Sequence, residues 1–301
     1  VEFELNSSPL KTALYVSSAM LAFAGNSILC RLALAEGAID AANFTLVRLV
    51  SGAITLAVLT IALHSQSFFS PFNWRKTDIL GALMLFGYAA TFSFSYVNMA
   101  TGTGALILFA SVQFSMIGFH LFSGNRMSLW EWVGLVVSLA GFGYLLIPNA
   151  TRPDIGSAVL MAIAGICWAA FTLLGKRESD RPSLLTMSIS FILASLLGGG
   201  IAMTAGMFMP MPFQTELISS RGLVLAVLSG AVASGIGYAI WYAVLPRLSI
   251  LRASVVQLSV PAIASIGGWI VLSEQITLST TIATLLVLGG IALVFAARSN
   301  E

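Results

Sequence analysis

The sequence predicts an all-α polytopic membrane protein, with ten transmembrane helices laid out as two inverted five-helix repeats. Three observations carry that expectation: an apolar composition, ten apolar runs long enough to cross a bilayer, and a recurring offset between matching segments of the two halves. Hydrophobic residues make up 58% of the 301 and charged residues 9%, where soluble domains hold about 45–50% and about 25%. A helix needs about 20 apolar residues to cross the hydrocarbon core, whereas barrel strands would alternate over about 10. The runs here are long and continuous, which argues against a barrel.

Polar breaks place the spans at about 10–34, 41–63, 78–99, 102–122, 128–147, 155–175, 183–206, 221–245, 249–272 and 278–297. Residues 1–9 are polar, begin at Val1 and read as a tail or cloning scar; they carry no charged n-region, so the first helix is expected to act as the insertion signal. The longest connections, Ser65 to Thr77 and Met207 to Ser220, hold the Pro, Phe and Trp of loops lying along a membrane interface. No soluble domain is expected. A polar seam, Pro148 to Asp154, divides the chain into repeats 10–150 and 151–298.

The repeat shows in short matches. Met127-Ser128-Leu129 opens the fifth span and Ile276-Thr277-Leu278 the tenth; Leu139-Ala140-Gly141-Phe142 matches Leu288-Gly289-Gly290-Ile291 at the same offset of 149. The offset shrinks to about 145 near Ala24-Gly25 and Trp168-Ala169. Five is odd, so the second copy enters the membrane from the opposite face. Inverted repeats of this kind are typical of secondary transporters.

Basic residues give an orientation. Lys11, Arg75, Lys76, Arg126, Lys176, Arg177, Arg181, Arg247, Arg252 and Arg298 fall on the side of the termini, against Arg31, Arg152 and Arg221 on the other. Both termini are therefore expected in the cytoplasm. A net charge of +2 with no basic stripe excludes nucleic acid as a partner. Cys30 and Cys167 lie in apolar segments without a CxxC and read as packing residues. His64 and His120, near span ends, read as interfacial, with proton handling as the alternative. Without HExxH or paired acids inside a span, no catalytic residue, metal site or cofactor is expected. The expected partners are a small-molecule substrate and the lipid bilayer, with the chain a monomer and an oligomer as the alternative.

Candidate site residues come from polar faces inside the spans. In the third span Tyr88, Thr91, Ser95 and Asn98 recur at i, i+3, i+7 and i+10, within about 80° of one another on a helix. The eighth repeats the pattern with Ser234, Tyr238 and Trp241, Tyr242 alongside. The first has Tyr15, Ser18, Ala22 and Asn26, and the sixth has Trp168 and Thr172. Two readings stand: interhelical contacts, or a shared aqueous cavity.

The ninth span carries Ser254, Gln257, Pro261 and Ser265. Pro261 has no N–H for the Gln257 carbonyl, so it should bend that helix. Either the bend merely packs against a neighbour, or the freed carbonyl joins a site. The 27 glycines lie largely within spans and allow close packing or hinging. Arg48 is a charge well inside a span, roughly 7–8 Å inward from Asn43. It either snorkels outward in a structural or gating role or faces the cavity.

These residues resemble the drug/metabolite transporter superfamily, in particular its EamA-type ten-helix exporters. The marks are the two five-helix copies, Thr45-Leu46-Val47-Arg48, the Leu272-Ser273-Glu274 break and the Gly-rich final span. The first copy departs from the pattern at Gln113, where the second has Pro261, and at Asn125-Arg126. The resemblance implies a central cavity lined by helices 1, 3, 4, 6, 8 and 9. It also implies alternating-access export of small neutral metabolites, most like exporters of aromatic and other neutral amino acids. A proton-coupled drug or metabolite exporter is the alternative; a channel or intramembrane enzyme is the rival class. The stripes hold no carboxylate, so an ammonium is expected to meet aromatic faces and carbonyls, at about 0.5–2 kcal/mol per cation–π contact. Affinity is then expected near millimolar, about −4 kcal/mol, and transport to follow the substrate gradient.

Overall fold

In lipid every peptide N–H and C=O must be bonded within the protein, so a chain of this composition crosses as helices. The computed structural model describes residues 9–69, 75–124, 126–146, 153–177, 181–208, 218–245, 248 and 256–298. The seam residues Pro148 to Arg152, the tail before Pro9, Asn125, Arg247, Ser254, Arg252 and the side chain of His64 lie outside the described residues.

Among the described residues ten helical spans follow one another: α1 Pro9–Ala35, α2 Ala41–Phe69, α3 Lys76–Tyr96, α4 Thr101–Phe122, α5 Leu129–Leu146, α6 Ile155–Arg177, α7 Ser183–Phe208, α8 Ser220–Val244, α9 Ser259–Leu272 and α10 Leu278–Arg298. Among the described residues seven are long and apolar enough to cross a membrane, and Leu129–Tyr144 of α5, Ser259–Leu272 of α9 and Leu278–Val294 of α10 are further apolar helical stretches. Local chemistry sets several starts. Asp40 accepts the backbone N–H groups of Ala42 (3.0 Å) and Asn43 (2.9 Å) ahead of α2, and Ser219 accepts that of Gly222 (3.0 Å) at α8.

The principal packing pairs are α1 with α8 and α9, α2 with α7 and α8, α3 with α6 and α7, α4 with α6 and α9, and α5 with α10. Exchanging each helix for the one five places along leaves this pattern unchanged, as two copies related by a pseudo-two-fold require. The offset read from sequence reappears as a contact: Ser138 Oγ donates to the Val287 carbonyl at 3.0 Å, 149 residues away. Around it Gly134 lies against the backbone of Gly290, and Gly141 against Ala283 and Val287. A Cβ on Gly134 would stand 2.5 Å from the Gly290 oxygen, so glycine is what lets α5 and α10 meet.

In the ninth span the helix is interrupted beside the Gln257 carbonyl that Pro261 cannot bond: Val256 and Gln257 are helical, Leu258 forms a turn, and α9 runs from Ser259. Pro261 therefore occupies a first turn, where no N–H is needed. Within α8, Leu228–Ile236 is wound as a π-helix.

Candidate functional site

Four helices bring aromatic rings to one point. Phe23 of α1 stands edge-on to Trp168 of α6 (centroids 6.4 Å) and to Tyr238 of α8 (5.6 Å). Trp168 in turn lies against Tyr88 of α3 (5.0 Å) and against Tyr238 (4.9 Å). With Asn26, Ser27, Phe92, Leu108 and Phe109 these rings line a cavity. It is narrow, with room for about one or two water molecules. Phe23, Tyr88 and Trp168 each sit in the middle third of their helices.

The cavity straddles the repeat axis. The Tyr88 and Tyr238 hydroxyls, 3.4 Å apart, belong to residues 150 positions apart. Phe23 and Trp168 are separated by 145. The second equals the offset of about 145 read near these residues and the first lies within one residue of 149, so each half contributes one member of each ring pair.

One pole of the cavity is polar. The Tyr88 hydroxyl receives hydrogen bonds from Arg48 Nη2 (2.9 Å) and Asn26 Nδ2 (3.3 Å), while Ser229 Oγ donates to Asn26 Oδ1 at 2.5 Å. Arg48 is 2% exposed. Its guanidinium lies 5.1 Å from the Tyr88 ring centroid and 4.8 Å from that of Phe92, and Nε donates to Ser234 Oγ at 3.3 Å. Snorkelling is thereby excluded: the side chain runs inward, behind the Tyr88–Phe92 wall.

The π-turns of α8 explain how Ser234 reaches Arg48. A π segment shifts the helix register, and such bulges recur at functional sites. Gly230, within it, sits against the Arg48 carbonyl and Ser51 Oγ, where any Cβ would collide.

Closures lie on both sides. Away from the termini Phe92 stacks edge-on to Tyr96 (4.7 Å), whose hydroxyl donates to the Thr101 carbonyl at 3.2 Å. Above them Glu274 accepts the Thr101 N–H (2.8 Å) at the start of α4 and pairs with Arg31 Nε (3.4 Å). Arg31 Nη1 also donates to the carbonyls of Tyr96 (2.9 Å) and Val97 (2.6 Å). Ser273, left-handed at φ 55°, turns Glu274 back over α9. On the side of the termini a narrow cleft includes Asp78, Phe171, Thr186 and Tyr242 in its walls. Asp78 is bound there by Arg181 at 2.9 Å, and Phe171 separates the cleft from Trp168 (centroids 5.7 Å).

Of the residues singled out in the sequence, Asn26, Tyr88, Trp168 and Tyr238 line the cavity. Ser234 holds Arg48, and Trp241 packs behind Phe23 at 5.8 Å. Three hydroxyls are committed elsewhere: Thr91 donates to the Gly87 carbonyl (2.7 Å), Thr172 to that of Trp168 (2.8 Å), and Ser95 to that of Ser157 on α6 (2.7 Å). Gln257 is half-buried outside the lining set, Ser18 and Asn98 are exposed, and Ser265 donates to the Pro261 carbonyl. Phe23, Phe92 and Phe109 were missed. Only the spacing of Phe23, three residues before Asn26, could have pointed to one of them.

Comparison with known proteins fits this geometry. The EamA-like transporter family model matches residues 156–296, the second repeat. An uncharacterized protein of Pseudomonas aeruginosa is 42% identical over 96% of each chain. The uncharacterized transporter YoaV of Bacillus subtilis is 22% identical, covering 82% of this chain and 85% of that one. The chain belongs to the EamA-like transporter family, within the drug/metabolite transporter superfamily. The threonine/homoserine exporter RhtA of Escherichia coli is 27% identical over 75% of this chain and 74% of its own. A solved crystal structure superposes with a TM-score of 0.66 at 17% identity, covering 95% of this chain and 98% of the other, and so shares its fold. As an EamA-like protein the chain is a multi-pass membrane transporter of small metabolites. Within it, Arg48 and Glu274, which carry the family resemblance in sequence, stand at the cavity pole and at the closure beyond it.

Proposed function

We propose that this protein exports small neutral metabolites, foremost amino acids, by alternating access through the cavity between Phe23, Tyr88, Trp168 and Tyr238. The observation that carries the reading is the enclosed mid-helix cavity built from ring pairs contributed equally by the two repeats. A site on the axis of an inverted repeat can be uncovered to either side by rocking one half against the other. The Arg31–Glu274–Thr101 contacts close one route, while Phe171 with the Asp78–Arg181 pair closes the other. Both termini are cytoplasmic in this scheme, in a bacterial inner membrane, so the Arg31–Glu274 closure faces outward. The amino-acid substrate class draws support from the threonine/homoserine exporter among the relatives.

Transport follows the substrate gradient, because no carboxylate lines the cavity among the described residues. Counterflow in proteoliposomes tests the reading. Liposomes preloaded with an unlabelled neutral amino acid should take up the labelled one in a transient, saturable overshoot. Flux that neither saturates nor responds to internal solute would identify a channel. Accumulation driven by a proton gradient alone would establish proton coupling instead.

A further inference from the structure

The polar pole of the cavity presents donors and a charge with nothing to balance them. A tyrosine hydroxyl has two lone pairs and one proton. Arg48 Nη2 and Asn26 Nδ2 occupy both lone pairs of Tyr88, so its proton must be given away. The Tyr238 hydroxyl, 3.4 Å away and long for an O–H···O bond, also donates to Tyr88 and takes no proton from it, so the Tyr88 O–H is left for another acceptor. Asn26 is fixed in the same sense: Ser229 donates to its Oδ1, which turns the amide N–H groups toward Tyr88.

Behind this pair Arg48 is 2% exposed. Among the described residues it has no carboxylate partner, since the ion pairs join Arg31 to Glu274, Arg181 to Asp78 and Arg221 to Glu36. Its Nη1 is buried without any hydrogen-bond partner. The helix that corresponds to α2 in the second repeat, α7, carries no charged residue at all. A lone buried guanidinium is costly in an apolar interior, and its planar fork suits a carboxylate.

We propose that this pole is an anion site, and that the exported solute carries a carboxylate which docks on the Tyr88 O–H and Asn26 N–H and supplies the missing counter-charge of Arg48. The inference rests on the transport reading above and names its substrate class. It fixes the orientation of an amino acid: carboxylate toward α2 and α3, side chain and ammonium toward the rings of Phe23 and Trp168. Amines and cationic drugs, which bring no acceptor and add positive charge, are disfavoured.

The test uses the full chain in lipid nanodiscs and ligand-induced thermal stabilisation. The probes are L-phenylalanine and L-threonine, the carboxamide of each, and the amine left by decarboxylation of each. The acids should bind at least about tenfold more tightly than their amides and amines, and in Arg48→Gln that ratio should fall to about one. Asn26→Asp, which places a carboxylate at the pole, should reverse the preference toward the amines and serves where Arg48→Gln does not fold. Equal binding of acids and amides by the wild type overturns the proposal, as does a ratio that survives Arg48→Gln, or no binding of either acid at millimolar concentration. Counterflow with the same six compounds separates the two readings. Transport of amides and amines as fast as acids would uphold export and sink the anion site. Acid-selective binding with no counterflow would sink export and leave the anion site standing.

Discussion

Tyr88 on α3 and Tyr238 on α8 occupy corresponding places in the two repeats, as do Phe23 on α1 and Trp168 on α6, yet Arg48 on α2 has no charged counterpart on α7. The frame of the cavity is shared between the halves; its charge comes from one. The shared part suits a site that must close from either side, because what one half does to open one face the other half can do at the opposite face. The unshared part gives that site a direction. A ring pair on the axis can hold a side chain in two orientations, and a single guanidinium behind Tyr88 leaves one.

Removing the unshared charge should have the largest effect. In Arg48→Met, counterflow should fall by about 30–100-fold, the size of a lost charge-assisted hydrogen bond of about 2–3 kcal/mol. Stability of the solute-free protein should shift by less than about 1 kcal/mol. The charge costs about 2.5–3.5 kcal/mol in a span, and the contacts to Tyr88, Ser234 and the two ring faces offset a similar amount. Unfolding in detergent reads the second quantity, and a loss of several kcal/mol would make Arg48 a structural post rather than half of an ion pair.

The contact between the halves comes next. Gly230→Ala drives a methyl into the Arg48 carbonyl and Ser51, pushing the π segment of α8 off α2. A destabilisation of about 1–3 kcal/mol and loss of counterflow are expected. Gly200→Ala on α7, with nothing within 4 Å of the new Cβ, should stay within about 0.5 kcal/mol of the parent and transport normally.

Glu274→Gln weakens the closure opposite the termini without touching a ring. The carboxylate's charge toward Arg31 and the α4 N-terminus is worth about 1 kcal/mol. The outward-open population should rise about fivefold, read as faster modification of cavity cysteines from that side. Ser138→Ala, at the α5–α10 crossing away from the cavity, should cost about 0.6 kcal/mol and leave counterflow unchanged.

All ten spans were legible because a bilayer imposes a length and a polarity on each. The offset of 149 was legible because small residues recur where α5 meets α10, Gly141 with Gly290 among them, and Ser138 meets Val287 at that separation. The cavity was legible only in part. A threonine or serine on a helix can satisfy itself on the carbonyl four residues back. Thr91 and Thr172 do so, and Ser95 bonds across to α6, so their polar faces looked like a lining without being one. Asn26, Tyr88 and Tyr238 have no such local outlet and bond to one another. Phe23 and Phe92 were hidden because a phenylalanine toward lipid and one toward a cavity give the same hydropathy. The depth of Arg48 left both its fates open; its inward course depends on the π turns of α8, which no spacing in the sequence announces.

The central claim is that this cavity takes the solute and faces each side in turn. Ser27 lines it without serving the Tyr88 pole, so a single cysteine at Ser27, with Cys30 and Cys167 replaced by alanine, reports on it directly. Impermeant thiol reagents should modify that cysteine from both faces of the membrane, and a saturating transported amino acid should slow both reactions at least about tenfold. Modification from one face only, or rates untouched by solute in a protein that still performs counterflow, would contradict the account.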